Sequence, residues 1–400
     1  MLLSLLLILS LGVAVQILLK RLPLPGLLGL LLLGVALGPY GFNLLDEAFL
    51  ASAQDLRMLA LIIILLRAGL GLNRRVLNEV KGPVFTMGVL PCIVEGVAVT
   101  IAAVYVFKFS VPVAASLGFV LAAVSPAVVV PSMLYLKEQG LGMNKGIPVM
   151  ILAGASVDDV VAITFLTSTL GWAMAGTAAG LWWQALLIPV RIIAGIALGL
   201  VVGWILVKLL PKLASIQRGY AALAVFAGTL AVVVTGEITG IAGLLAVMAC
   251  GFILAERAGR ELHIVVKAAD AAWMVAQIFL FVLIGAAVDI GVAWEAGLAG
   301  ALVIGIGLLG RALGVYLGLL GSKLNWKERL FCAISYVPKA TVQAAVGGLP
   351  LAMGVAGGEI ILAVAVLSII LTAPLGAAAI PLVAPRLLRT EAAASQENII

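Results

Sequence analysis

Charged residues are scarce in this sequence of 400 residues. They make up 10% of it and hydrophobic residues 64%, and the mean hydropathy is +1.27, which excludes a soluble globular domain. Histidine and cysteine are rarer still: the single histidine, His263, falls in a charged loop, and the three cysteines are scattered through apolar segments. Neither a zinc site nor a disulfide framework is expected from this pattern, and we expect no cofactor.

Long apolar runs, by contrast, recur from one end of the sequence to the other. A helix needs about 20 apolar residues to cross a hydrocarbon core of roughly 30 Å, and it satisfies its own backbone hydrogen bonds there. We therefore predict an all-α polytopic membrane protein with about thirteen transmembrane helices. The predicted spans are 2–19, 24–38, 54–72, 82–107, 112–136, 146–172, 181–207, 219–235, 240–256, 266–288, 293–320, 328–352 and 358–385.

Basic residues decide the orientation of these spans. With the N-terminus outside, the basic residues of the predicted loops fall on the cytoplasmic side, and Lys108 is the exception. This alternation predicts a protein of the cell (inner) membrane, in contact with lipids, with a cytoplasmic C-terminus. The net charge of +6 then reflects membrane orientation, so no nucleic-acid partner is expected.

Ionisable residues from four predicted spans fall near the middle of the membrane. At a rise of about 1.5 Å per residue, Asp158 and Asp159 lie roughly 18–20 Å from the cytoplasmic edge. Glu95, Arg311 and Lys339 come to a similar depth. Charges there cost at least about 2.5–3.5 kcal/mol each, so they should face the protein interior or a water-filled cavity.

These groups suit different roles. Glu95 and Arg311 fit a structural ion pair, whereas adjacent aspartates repel each other and make a poor structural link, so Asp158 and Asp159 are the candidate site. Three further arginines within the spans, Arg57, Arg67 and Arg191, receive no assigned function. Arg67 lies nearest the cytoplasmic end of its span, so we expect its side chain to extend to that surface.

Two spans carry prolines at the depth of the aspartates. One contains "AAVSPAVVVPSM" with Pro126, and the other contains "SYVPKATVQAAVGGLP" with Pro338 beside Lys339. Proline removes an amide donor and clashes with the preceding turn, so both helices should break there. An odd number of spans separates them, so they run in opposite directions. This pattern predicts inverted-topology repeats with two crossing broken helices, where Lys339 can offset the exposed carbonyl groups.

The motifs "SVDDVVAIT", "VSPAVVVPSM" and "VPKATVQAA" together resemble the monovalent cation/proton antiporter superfamily, in its sodium/hydrogen antiporter branch with paired aspartates. Within this branch, the chain resembles bacterial relatives of the mammalian sodium/hydrogen exchanger domain-containing antiporters. This resemblance implies a homodimer, with a dimerisation domain and a six-helix core domain. It also implies elevator-like alternating access and exchange of sodium or lithium for protons.

The resemblance also assigns residues. Asp159 matches the principal ion-binding aspartate of the family, Asp158 its neighbour, and Ser125 a hydroxyl at the helix crossing. Arg311 stands where many members have a lysine that pairs with the first aspartate. Because Glu95 lies at the same depth, we expect Arg311 to bind Glu95 in a bidentate pair and to leave Asp158 free.

The resemblance implies a division of the chain as well. Residues 1–400 form a single membrane transporter unit. Within it, 54–172 and 266–385 are the approximate ion-transporting core halves, and 1–53 and 173–265 form the dimerisation or scaffold part.

The chemistry of exchange follows from the aspartates themselves. Neighbouring carboxylates titrate as a coupled unit, and sodium and protons compete for the same oxygens. Two alternatives stay open, a potassium/proton antiporter and a cation channel, since acidic side chains also line pores. An intramembrane aspartyl protease fits poorly, because adjacent residues lie about 100° apart on one helix and cannot face each other across a water.

Overall fold

The computed structural model describes residues 1–20, 26–72, 74–175, 181–287 and 290–388. Within these ranges every regular element is helical, which confirms the predicted all-α class. Nine helical segments of the described residues are long and apolar enough to cross a membrane, and the total of thirteen stays a prediction. The helices are α1 (Leu2–Lys20), α2 (Gly26–Leu37), α3 (Glu47–Ala51), α4 (Ala53–Leu70), α5 (Arg74–Val106), α6 (Val111–Leu121), α7 (Pro126–Glu138), α8 (Ile147–Ala175), α9 (Leu181–Ile216), α10 (Arg218–Thr239), α11 (Gly243–Arg257), α12 (Leu262–Ala286), α13 (Ile290–Gly318), α14 (Trp326–Ser335), α15 (Thr341–Val346), α16 (Leu349–Ala352) and α17 (Gly358–Leu387).

Several helix ends differ from the predicted spans. α5 begins at Arg74 rather than near residue 82, because polar residues extend it beyond its apolar window. α9 continues to Ile216 rather than ending near residue 207, because the apolar stretch itself continues to that residue. The backbone of α13 leaves the helical conformation at Gly297 (φ 50°, ψ −148°), a region that glycine enters without steric cost. The first residues of the predicted span 24–38 and the last of 266–288 lie outside the described residues.

Several basic residues lie together at one end of the protein, which we call the basic face. Lys145 Nζ donates to Glu328 Oε2 at 2.8 Å and to Lys323 O at 3.1 Å. Arg67 Nε lies 2.7 Å from Asp270 Oδ1 at the same end. The other end, the opposite face, contains the α5–α6 and α10–α11 links.

Two segments are interrupted in mid-course by the predicted prolines. α6 ends before Pro126, which begins α7, and residues 336–340 separate α14 from α15. The two breaks touch, since Ser125 N donates to Pro338 O at 2.8 Å. α6 runs toward the basic face and α14 away from it, so the segments cross in opposite directions, as in an inverted repeat. The most apolar stretch of Val111–Glu138 is completely buried, which allows non-helical backbone at membrane depth.

The helices pack as two bundles. α5–α8 and α13–α17 form the core bundle, and α1, α2, α4 and α9–α12 form the frame bundle. Contacts of α8 with α9 and of α4 with α7 join them. The predicted core halves 54–172 and 266–385 include α4 and α12, whereas α4 packs mainly against α11 and α12, and α12 mainly against α2 and α4.

Glycines bring helices of the frame bundle into backbone contact. A Cβ at Gly199 of α9 would lie 2.0 Å from the carbonyl oxygen of Ala246 in α11, and one at Gly69 of α4 would lie 2.2 Å from that of Met248. Small residues permit such close packing in lipid, where no hydrophobic force drives helices together. α11 is therefore held tightly on two sides, and with it the α10–α11 link at the opposite face.

Candidate functional site

The two aspartates lie in the middle of α8, among small and β-branched residues that pack against α5 and α6. Asp158 is completely buried and Asp159 is 7% exposed. As neighbours on one helix they point about 100° apart, so each carboxylate meets its own surroundings.

Asp158 is held by a cation and by a backbone amide. Arg311 Nη1 of α13 lies 3.3 Å from Asp158 Oδ1, and Val124 N, in the break between α6 and α7, donates to Asp158 Oδ2 at 2.8 Å. The expectation that Asp158 is free is therefore wrong. A guanidinium has several donors in a planar fork, so it can hold two carboxylates at once.

Glu95 of α5 accepts hydrogen bonds from two buried cations. Arg311 Nε and Lys339 Nζ both donate to Glu95 Oε2, and Lys339 does so at 2.7 Å. The structure confirms the contact between Glu95 and Arg311, but one guanidinium nitrogen forms it rather than two, because the others face Asp158. Glu95, Asp158, Arg311 and Lys339 thus form one buried network, which we call the charge network, and their formal charges cancel.

Asp159 lies outside the charge network. Its Oδ1 is buried and has no hydrogen-bond partner among the residues that the structure describes. It lines a cavity of about 150 Å³ with Ser156 and Thr164 of α8, Arg191 of α9 and residues of the α10–α11 link. A carboxylate oxygen with unused lone pairs, beside a space that can hold water, is able to accept a proton or a cation.

Two of the residues predicted at the crossing, Ser125 and Pro338, meet each other rather than the carboxylates. Lys339 differs, because its Nζ donates to Glu95 and not to the carbonyl groups that it was expected to offset. Ser125 precedes the first turn of α7, which Pro126 begins, and its hydroxyl lies 3.4 Å from Thr341 Oγ1. The carbonyl group of Pro338 accepts the amide of Ser125. The crossing is thus formed by the predicted residues, and the assignment of Ser125 as an ion ligand stays a prediction.

Sequence reasoning missed a residue that completes the crossing. Gln343 of α15 donates through Nε2 to Val120 O and Ala123 O, each at 3.0 Å. Val120 lies in the last turn of α6 and Ala123 in the break after it, where the helix no longer continues to supply amide donors. The sequence signal that could have indicated this role is an uncharged polar residue, Gln343, close to the helix-breaking Pro338 in an apolar span.

Two further residues support the charge network. Thr372 Oγ1 accepts from Lys339 N at 2.8 Å, so α17 fixes the backbone next to the crossing. The guanidinium of Arg311 lies over the ring of Tyr336, with Cζ 5.7 Å from the ring centroid, within the range of a cation–π contact. Neither role could be read from the sequence, because each depends on which helices become neighbours.

The three arginines without an assigned function have different surroundings. Arg57 turns back to donate to the backbone of α4. Arg67 pairs with Asp270 at the basic face, which agrees with its expected extension to the surface. Arg191 reaches the cavity beside Asp159, where Nη1 donates to Thr164 Oγ1 at 3.0 Å.

A solved structure shares this architecture. The fold matches that of the sodium proton antiporter MjNhaP1 from Methanocaldococcus jannaschii with a TM-score of 0.75 and 22% identity, over 95% of this chain and 97% of that one. A helical membrane fold with a buried charge network at two crossing broken helices is the architecture of an ion-coupled secondary transporter.

The chain belongs to the sodium/hydrogen exchanger family, whose transmembrane model matches residues 5–384. It is 37% identical to human sodium/hydrogen exchanger 9B2 over 392 residues, which cover 92% of this chain and 70% of that protein. It is 34% identical to human sodium/hydrogen exchanger 9B1 over 385 residues, 92% of this chain and 73% of the relative. The protein is therefore a multi-pass member of the monovalent cation/proton antiporter superfamily, and its class of activity is cation/proton antiport.

Proposed function

We propose that this protein exchanges sodium or lithium for protons and that Asp159 binds the two in turn. The observation that carries the proposal is the contrast between the adjacent acids. Asp158 already has Arg311 and an amide as partners. Asp159 Oδ1, in contrast, is buried beside a cavity without a partner in the described part of the chain. Membership of an exchanger family supports the choice of substrates.

Competition for the carboxylate of Asp159 accounts for coupling. Sodium takes oxygen ligands, which the carboxylate, cavity water and the hydroxyl of Ser125 would supply. A proton on Asp159 removes the negative charge that attracts the cation, so binding of one excludes the other. Carrying an empty, ionised site through the dry barrier is costly, so only occupied carriers cross.

The charge network limits how much charge moves in each cycle. Because Glu95 and Asp158 face Arg311 and Lys339, the network needs neither a proton nor a cation to remain neutral. Asp159 alone then alternates between one sodium ion and one proton. We infer a one-for-one exchange that produces no net charge movement.

The two bundles supply alternating access in this proposal. The core bundle contains the aspartates and the crossing, so we infer that it slides against the frame bundle in an elevator-like motion. We further infer that the protein is a homodimer in the inner membrane, with its N-terminus outside and its basic face in the cytoplasm. Much of the apolar surface of α1 and α9 is exposed, which suits contact with lipid or a second protomer.

Proteoliposomes with the purified protein test the proposal. A sodium gradient should drive proton movement without creating a membrane voltage. Asp159→Asn should abolish this movement, because an amide cannot exchange a proton for a cation, while thermal unfolding shows that the variant is folded. Asp270→Asn replaces a carboxylate at the basic face and should exchange normally. Normal exchange by Asp159→Asn would overturn the assignment.

The same vesicles separate the alternatives. Proton movement driven equally well by potassium would make the protein a potassium/proton antiporter. Sodium flux that grows linearly with concentration and proceeds without proton movement would make it a cation channel. Lithium in place of sodium tests the second proposed substrate.

A further inference from the structure

Arg191 stands on the route between Asp159 and the opposite face. It lines the cavity of about 150 Å³ that contains Asp159. It also lines a wider opening of about 390 Å³, whose other lining residues include Thr167 and Glu237. The two spaces share Arg191 and the α10–α11 link, so a cation that enters from the opposite face passes this guanidinium.

The contacts of Arg191 join the two bundles at this point. Its Nη1 donates to Thr164 Oγ1 at 3.0 Å, and Thr164 lies little more than one turn beyond Asp159 on α8 of the core bundle. The hydroxyl of Thr164 itself donates to Val160 O at 2.7 Å, which turns its lone pairs toward the arginine. The carbonyl oxygen of Arg191, on α9 of the frame bundle, accepts from Ala242 N at 3.2 Å.

A positive charge in a narrow passage opposes the entry of another cation, and low-dielectric walls strengthen the effect. The guanidinium must therefore move aside or be offset when sodium passes. Glu237 of α10 lies on the wall of the wider opening and is exposed, so it offers a carboxylate to the space that Arg191 also lines. The long side chain of arginine can turn between two such positions while its backbone stays fixed.

We propose that Arg191 is a gate on the opposite-face route and sets the apparent affinity for a cation entering from that face. Thr164 holds the guanidinium in the closed position, and Glu237 receives it in the open position. This inference rests on the proposed function, because it takes Asp159 as the binding site.

Sided transport measurements test the gate, using proteoliposomes in which the protein has one orientation. Arg191→Gln should lower the KM for sodium at the opposite face by about fivefold, because the opposing charge is gone, and leave the KM at the basic face unchanged. Thr164→Val removes one hydrogen-bond acceptor of the guanidinium in the closed position and should lower the same KM. Glu237→Gln removes the acceptor of the open position and should raise it.

Matched variants exclude general effects of charge. Lys212→Gln removes a positive charge from the same helix at the basic face and should leave the opposite-face KM unchanged, and Arg191→Lys should retain a high KM. An unchanged opposite-face KM in Arg191→Gln, or equal changes at both faces, would overturn the gate. If Arg191→Gln does not fold, the gate is tested by the opposite-face KM of two other variants, which should fall in Thr164→Val and rise in Glu237→Gln. KM values that do not shift in these opposite directions would overturn the gate.

Asp159→Asn in the same vesicles separates this inference from the proposed function. If Asp159→Asn exchanges normally, the binding site is wrong whatever Arg191 does. If Asp159→Asn is inactive and Arg191→Gln has normal sided kinetics, only the gate is wrong.

Discussion

Glu95 is the residue on which two buried cations depend. Its Oε2 accepts from both Arg311 and Lys339, and all three side chains are almost completely buried. Burial of a charge is tolerable only while a partner and hydrogen bonds compensate for the lost water. We therefore expect a structural role for Glu95: it keeps the charge network neutral, and in the proposed function this leaves Asp159 as the group that binds and releases substrate.

Replacing Glu95 should affect stability more than affinity. Glu95→Ala leaves two cations with one carboxylate, so we expect a loss of about 3–5 kcal/mol in the free energy of unfolding, while the KM for sodium stays close to that of the wild type. Thermal unfolding in detergent and transport by proteoliposomes measure the two quantities. Asp270→Ala breaks the exposed pair with Arg67 and should cost only about 0–1 kcal/mol. A larger effect on KM than on unfolding would make Glu95 a transport residue.

At the scale of the helices, the crossing depends on satisfying the ends that the breaks create. α6 stops before Pro126, and its last carbonyl groups are buried away from water. The amide of Gln343, which belongs to the other broken segment, donates to Val120 O in the last turn of α6 and to Ala123 O in the break after it. Each broken segment therefore completes hydrogen bonding of the other.

Gln343→Leu tests this mutual dependence. Leucine has a similar volume but no donor, so two buried carbonyl groups lose their partner, and the free energy of unfolding should fall by roughly 1–3 kcal/mol. Thermal unfolding in detergent measures the change. Gln277→Leu is the matched control, because the amide of Gln277 is exposed and lies 3.5 Å from Met274 O, a long contact. Equal melting temperatures for the two variants would contradict the role assigned to Gln343.

At the scale of the whole molecule, a contact at the basic face joins the two bundles. Lys137 Nζ on α7 of the core bundle donates to Gly71 O at the end of α4 in the frame bundle. A cavity of about 290 Å³ beside it is also lined by Arg67 and Asp270. The cavity of Asp159 instead lies on the side of the opposite face, so we expect the contact between Lys137 and Gly71 to help to keep the protein closed at the basic face.

Removing the contact should favour opening at the basic face. Lys137→Met keeps the aliphatic stem and loses the donor, so fewer molecules should be open to the opposite face. A cysteine placed at Ser156, in the cavity of Asp159, should then react more slowly with a membrane-impermeant thiol reagent added at that face. Lys212→Met, an exposed lysine of the basic face, is the control. Identical reaction rates in both backgrounds would mean that Lys137 does not hold this state.

Patterns within single helices explain which features could be predicted from the sequence. The apolar spans, the breaks at Pro126 and Pro338, and the burial of Asp158 and Asp159 each follow from local composition and depth. The contact between Glu95 and Arg311 was also predictable, since few opposite charges share that depth.

Features that depend on neighbouring helices could not be predicted in this way. Arg311 divides its donors between Glu95 and Asp158, and depth alone does not indicate how a guanidinium is oriented. α4 packs mainly against α11 and α12, and α12 mainly against α2 and α4; a hydropathy pattern does not specify which helices become neighbours, and the division into core and scaffold stays a prediction. The positions of Gln343 and Arg191 depend on the same missing information.

The hydrogen bond from Ser125 N to Pro338 O joins the two broken helices through main-chain atoms alone. A side-chain substitution at position 125 or 338 removes neither of these atoms. Such substitutions therefore leave the hydrogen bond between the two broken segments available. The exception at position 125 is proline, which carries no amide hydrogen. The side chains at the crossing can therefore change by mutation while the main-chain contact between the two broken segments is kept.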